Sequence, residues 1–269
     1  MLRSVFTKTL YDVRRSFAWW AAGFVGYVAL IVGVWPSVRD NPALIRLHET
    51  YPEELKAFIS FGGEFDFGTA TGYLGAELFS LMVPLLLIVA AVGAGARALA
   101  GEDERGTLDL LLANPLSRNR LTLQALAALL AEVAGLAVVL YLALLAGSAA
   151  AGMDVSAGNL AAAIGSALLL ALAFGGIAFA LGAATGHRAI AIGVATAGAV
   201  AAYLVNGLAP LVDVIGSVRW LSPWYHYVAG DPLREGLSAG HALVLVAIAV
   251  VAAAAAVVAF ERRDIGVSS

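Results

Sequence analysis

Cysteine is absent from all 269 residues, so disulfides, thiolate metal sites and cysteine nucleophiles are excluded. Charge is scarce. Only 13% of residues are charged against 61% hydrophobic, where soluble domains carry about a quarter charged. No stretch is polar enough to hold a soluble domain. Lysine occurs only as Lys8 and Lys56, neither after a Gly-rich loop, and G-x-x-x-x-G-K-[ST] is missing. Nucleotide chemistry therefore belongs to another chain. The net charge of -3 comes from dispersed acids and bases, with no basic patch for nucleic acid. Gly-x-Ser-Gly and Gly-x-Gly-Asp, the marks of intramembrane proteases, are also missing. The nearest approach is Ser166, within Ile164-Gly165-Ser166-Ala167, with His241 at the edge of an apolar run. His48, His187, His226 and His241 show no metal-ligand spacing. These residues do not describe an enzyme.

What is present is apolar sequence in runs of about 20 residues or more, the length that crosses a hydrocarbon core. Six spans are expected, near 17–35, 73–96, 121–146, 160–184, 189–211 and 241–260. The break between the fourth and fifth is only Thr185-Gly186-His187-Arg188. Without it there would be five spans and the chain ends would lie on opposite sides. Six spans put 11 Lys and Arg on one side and 5 on the other. That asymmetry places both termini in the cytoplasm. The apolar run after Arg14 and Arg15 has no small-residue cleavage site, so it reads as a retained first span. The expectation is an all-α, multi-pass protein of the cell membrane (a prokaryotic plasma membrane). It has one transmembrane domain, residues 1–269.

Four segments flank the spans. Residues 1–16 place Leu2, Phe6, Leu10 and Val13 three or four apart, with Arg3, Lys8, Arg14 and Arg15 mainly off that stripe. This pattern suits an interfacial helix on the cytoplasmic leaflet or, alternatively, a frayed basic leader. In the outer loop 36–72, Thr50-Tyr51-Pro52-Glu53-Glu54 opens a short helix with Leu55, Phe58 and Ile59 on one face. The outer segment 212–240 gathers Trp220, Trp224, Tyr225 and Tyr227. It reads either as a helical pair dipping into the leaflet or as a loop with interfacial anchors. Residues 97–120 form the one long polar insertion on the cytoplasmic side.

Within the spans, Glu132 lies 11 residues into the third, about 16 Å deep at about 1.5 Å per residue. It either lines a cavity for cargo or is a hydrogen-bonded carboxyl between helices. Glu77 and Asn206 are weaker cavity candidates, nearer the outer side. Pro84 predicts a kink in span two. Gly176 with Ala180, Gly182 with Gly186, and Gly193 with Ala197 have the spacing of close helix contacts. The Ala-rich last span reads as lipid-facing or loosely packed. The two halves show no internal repeat.

The polar insertion carries the most information. Thr107 can cap a helix on which Leu108, Leu111 and Leu112 share a face. Pro115 ends that helix, and Ser117 can cap the third span. Glu102, Asp103 and Glu104 precede it, where an anionic leaflet would repel them. A protein cleft with basic residues is therefore the expected host.

EDERGTLDLLLANPLSR resembles the signature of permease subunits of ABC exporters, the second exporter class. The matching positions are Glu102, Glu104, Gly106, Thr107, Leu108, Asp109, Leu111, Leu112, Pro115, Ser117 and Arg118. LSPWYHYVAGDPL, from Leu221, resembles that family's segment before the last span. FERRDIG, from Phe260, resembles its usual end. One departure is Gln124, where such permeases often carry Lys. The resemblance implies that 97–120 holds a coupling helix seated on a separate ATPase subunit. It also implies two ATPase copies holding ATP and Mg, a second permease copy (identical or homologous) and alternating access. No cofactor is expected on this chain. Membrane lipid is its other partner. Trp220, Trp224 and Tyr225 would anchor an outer gate. The competing readings are an ion-coupled secondary transporter and a membrane scaffold or sensor that recruits a cytoplasmic partner.

Overall fold

The structure, a computed structural model, describes residues 4–41, 68–107 and 117–263. The described residues are helical or in turns, and six helical stretches are long and apolar enough to cross a membrane. They are Val5–Arg39, Ala70–Ala98, Arg118–Ala150, Ala157–Thr185, Arg188–Leu208 and Ala239–Arg262. The helix expected at residues 50–63 lies outside the described residues.

The first span differs from expectation. Helix α1 (Val5–Arg39) runs unbroken through the boundary expected near residue 17. Its 35 residues extend about 52 Å at about 1.5 Å per residue, well beyond a core of roughly 30 Å. Nothing between residues 5 and 22 breaks a helix, since neither Gly nor Pro occurs there. The amphipathic leader is thus continuous with span one. Ser4 caps it by accepting the Thr7 N–H at 3.2 Å.

Span two is α2 (Ala70–Leu74), a π turn (Gly75–Phe79) and α3 (Met82–Ala98). The distortion expected at Pro84 falls one turn earlier, because the proline ring excludes the carbonyl four residues before it. A short α4 (Ala100–Glu104) follows. Helix α5 (Arg118–Ala150) is span three, capped by Ser117 as expected, and α6 (Ala157–Thr185) is span four. Gly186 ends α6 at φ +70°, and α7 (Arg188–Leu208) begins two residues on, so the short break is real. Between spans five and six lie α8 (Asp213–Val218), a 3-10 turn (Arg219–Leu221) and α9 (Pro223–Val228). The segment is thus a helical pair. Helix α10 (Ala239–Arg262) is the last span.

Helix α6 is central and touches α3, α5, α7, α9 and α10. Small residues permit this. A Cβ on Gly95 of α3 would overlap the Gly175 backbone of α6, and one on Gly175 would meet the Ala91 Cβ at 2.9 Å. Of the expected small-residue positions, Gly176 faces Ala252 of α10 and Gly182 faces Ala100, while Gly193 meets open space. The Gly95–Gly175 crossing was not foreseen. Helix α10 buries Leu245, Ala252, Ala256 and Phe260 and leaves Val250 and Val251 exposed.

Helices α1 and α5 run parallel. Val5 meets Gln124, Phe17 lies over Gly135, and Val32 over Gly147. The start of α1, α4, the start of α5, the α6–α7 turn and the end of α10 meet at one end, called the basic end here. The two ends of the described chain therefore lie on the same side, as six spans require.

Candidate functional site

Residues 108–116 lie outside the described residues, and with them Leu108, Leu111, Leu112 and Pro115. The peptide leading into them is defined. Helix α4 closes with Gly106 at φ +66°. The Gly106 N–H goes to the Asp103 carbonyl and the Thr107 N–H to the Glu102 carbonyl, both at 2.9 Å. This pair of bonds is a Schellman cap, which favours glycine at the left-handed position. The helix that Thr107 was expected to open lies outside the described residues. The Thr107 hydroxyl lies 2.6 Å from Glu102 Oε2 and 3.0 Å from the Glu102 carbonyl, so it also closes the helix before. The left-handed turn at Gly106 folds it back over α4.

The three acids of α4 each hold a different partner. Glu102 accepts from Lys8 Nζ of α1 at 3.0 Å and from Arg105 at 2.7 Å, with its side chain 13% exposed. Burial works to raise its pKa. Hydrogen bonds from Thr107 and Lys8, with the charges of Lys8 and Arg105, outweigh that and hold it below the usual carboxylate value. Asp103 pairs with Arg263 at the end of α10. Glu104 Oε1 accepts the Arg188 N–H at 2.8 Å. It thereby caps α7, whose own N-cap residue, His187, supplies no side-chain bond. A carboxylate there also meets the positive end of the helix dipole. Gly186 makes room, because any Cβ would run into the Arg263–Asp103 pair. Arg118 completes the cluster. Its guanidinium donates to the carbonyls of Arg263 at 2.7 Å and Glu261 at 3.3 Å, a cation on the C-terminal end of α10.

The acids were expected to need a basic host outside the chain. Glu102 and Asp103 instead meet cations within it, and Glu104 meets the N-terminus of α7.

A family model described as ABC-2 family transporter protein matches residues 4–265. The chain belongs to this family. No individual curated protein matches it. Members are membrane components of transporters, normally not catalytic themselves, and generally work with an ABC ATPase. The six apolar helices fit that membrane role.

Other expected site residues of this ABC-2 permease disperse. Glu132, 6% exposed, accepts from Arg97 NH2 at 2.9 and 3.1 Å. The pair borders a cavity of about 160 Å³ between α1, α3, α4 and α5, also lined by Asp12, Ser16, Glu102 and Arg105. Glu132 thus bonds across helices and borders this cavity. Its partner was assigned to the polar loop, not to a span. Glu77 lies half-buried in the π turn, away from this cavity. Asn206 is fully buried, and its Oδ1 accepts from Arg219 Nε at 2.9 Å, so it anchors the segment between spans five and six.

The aromatic trio also splits. Trp224 is 2% exposed and edge-on to Tyr203 and Tyr227, whereas Trp220 is 61% exposed. Tyr225 is edge-on to His226 and His241, whose Nδ1 atoms are 3.0 Å apart. That imidazole pair was not anticipated from the sequence. Gln124, the departure from the family pattern, caps α1 through its side-chain oxygen, taking the Val5 N–H at 2.9 Å. A lysine has no acceptor for this bond.

Proposed function

We propose that this chain is the membrane subunit of an ATP-driven ABC exporter in the cell membrane. It works as two permease copies, identical or homologous, with two copies of a separate ATPase that holds ATP and Mg. Residues 108–116, with the Leu108, Leu111 and Leu112 face, seat on the ATPase. The single observation that carries this reading is the α4 cluster. Immediately before that segment, Glu102, Asp103 and Glu104 bond to α1, the end of α10 and the start of α7. A push on 108–116 would thus enter three helices at once.

In this account ATP closes the ATPase dimer and draws the two coupling segments together. The helices then rearrange about the dimer axis in alternating access. Glu102, Glu104, Gly106, Thr107 and Arg118 transmit force and carry out no chemistry. The basic end faces the cytoplasm, and the segment 212–240 faces outward. Trp224 and Tyr225 hold that segment against the bundle as an outer gate. The cavity beside Glu132 opens among charged residues at the cytoplasmic side, where cargo would enter.

The test is co-purification with an ATPase encoded beside the chain. Leu108→Asp and Thr107→Pro should leave the six spans inserted and abolish association or uncouple hydrolysis from transport. Normal assembly and normal transport in Leu108→Asp would sink the assignment.

A further inference from the structure

Span two is broken midway, and the break is bonded from outside. The Ser80 N–H reaches five residues back to the Gly75 carbonyl at 2.8 Å. Leu81 then leaves helical geometry with φ at −144°. Pro84 keeps the break in place, because it has no N–H and its ring excludes the Ser80 carbonyl. Inside a membrane, carbonyls loosened in this way need donors from neighbouring helices.

Two phenols supply them. Tyr27 of α1 donates to the Glu77 carbonyl at 3.1 Å, and Tyr227 of α9 donates to the Phe79 carbonyl at 2.6 Å. Tyr227 is itself held: it is 3% exposed, and its own carbonyl accepts from Ser166 Oγ of α6 at 3.2 Å.

The two halves of span two have different neighbours within one core. On the basic-end side of the break, α3 is pressed onto α6 through Gly95 and Gly175. On the far side, α2 is tied to α1. Tyr73 donates to the Ile31 carbonyl at 2.9 Å, and its ring lies tilted against Trp35 with centroids 5.2 Å apart.

We infer that Ser80-Leu81 is a hinge and that Tyr27 and Tyr227 are positioning residues that set its angle. Given the transport cycle proposed above, on which this step rests, movement of α4 reaches the segment 213–228 along α3 and through the Tyr227 hydroxyl.

The test uses the full chain in lipid nanodiscs, with one cysteine pair at Val89 on α3 and Leu30 on α1, beside the Ile31 carbonyl that holds α2, and a second pair at Val89 and Leu221 beside α9. These positions are exposed and the chain has no native cysteine. Spin labels in the first pair report the distance across the hinge, and in the second the distance to the segment before α9. Tyr27→Phe and Tyr227→Phe keep the rings and remove only the hydroxyls. Each should broaden the distance distribution of the first pair by about two-fold or more, while the thermal midpoint falls only by the few degrees that one lost hydrogen bond costs. Unchanged width in both variants overturns the hinge, and so does a lowered midpoint without broadening. In the complex with its ATPase, the wild-type distance in the second pair should shift between ADP and trapped ATP. Tyr227→Phe should lose most of that shift while hydrolysis continues. A full shift in Tyr227→Phe overturns the transmission route. A wild-type distance that ignores nucleotide overturns the transport cycle instead, and the width in the chain alone still decides the hinge.

Discussion

Removing either partner of the Arg97–Glu132 pair should have unequal effects. The Glu132 side chain is 6% exposed and the Arg97 side chain 29%. Arg97→Leu strands the more deeply buried charge, and breaking a buried pair from that side costs about 3–5 kcal/mol. Glu132→Leu leaves a guanidinium facing a cavity of about 160 Å³, roomy enough for about five waters. Its cost falls to that of a lost charge-assisted hydrogen bond, about 1.5–3 kcal/mol. The double substitution leaves no charge stranded and should cost less than Arg97→Leu alone. The assay is unfolding of the purified chain in mixed micelles by titration with a denaturing detergent, followed by tryptophan fluorescence. Arg97→Leu should be the least stable of the three. The reasoning is refuted if Glu132→Leu costs as much as Arg97→Leu. It is equally refuted if the double variant costs the sum of the single ones, because independent sites add.

Cysteines placed at Ser4 and Ser268 should both resist an impermeant thiol reagent in intact cells, and labelling of either would overturn the cytoplasmic termini. Trp224→Ala should destabilise by about 3–5 kcal/mol, since it empties a packed site, while Trp220→Ala should stay within about 0.5 kcal/mol. Equal costs in the same titration would contradict the division of labour seen between the two rings. Glu102 has its folded pKa held below the unfolded value. Its stabilisation is therefore present above the unfolded pKa and is lost as pH falls through the folded one. Glu102→Gln should cost about 1–3 kcal/mol at neutral pH and progressively less in acid. A cost that does not change on acidification would show that the pairs of Glu102 contribute nothing.

The six spans were legible because each is a run of apolar residues long enough to cross a membrane. The Ser117 cap and the Gly186 stop were legible because their chemistry is local. The α4 cluster was not. Lys8, Arg188 and Arg263 lie 94, 84 and 160 residues from the acids they meet. The acidic triplet therefore looked uncompensated when read along the chain. Pro84 marked span two as bent, but the π turn before it depends on the hydroxyls of Tyr27 and Tyr227, which no local pattern announces. Asn206 and Glu132 looked alike as polar residues in apolar runs. Their partners, Arg219 and Arg97, give them separate tasks in different parts of the bundle. Continuity of α1 was hidden by its basic residues, which suggested a boundary where the backbone has no reason to break.

The central claim is that ATP moves this chain through residues 108–116. The most direct measurement places a spin label on a cysteine at Ala113 in both permease copies of the complete complex. The distance between the two labels is then compared with ADP bound and with ATP trapped. The account predicts a shortening by several ångströms when ATP closes the ATPase pair, and loss of that shortening in Leu108→Asp. A distance that is the same in both nucleotide states would contradict it.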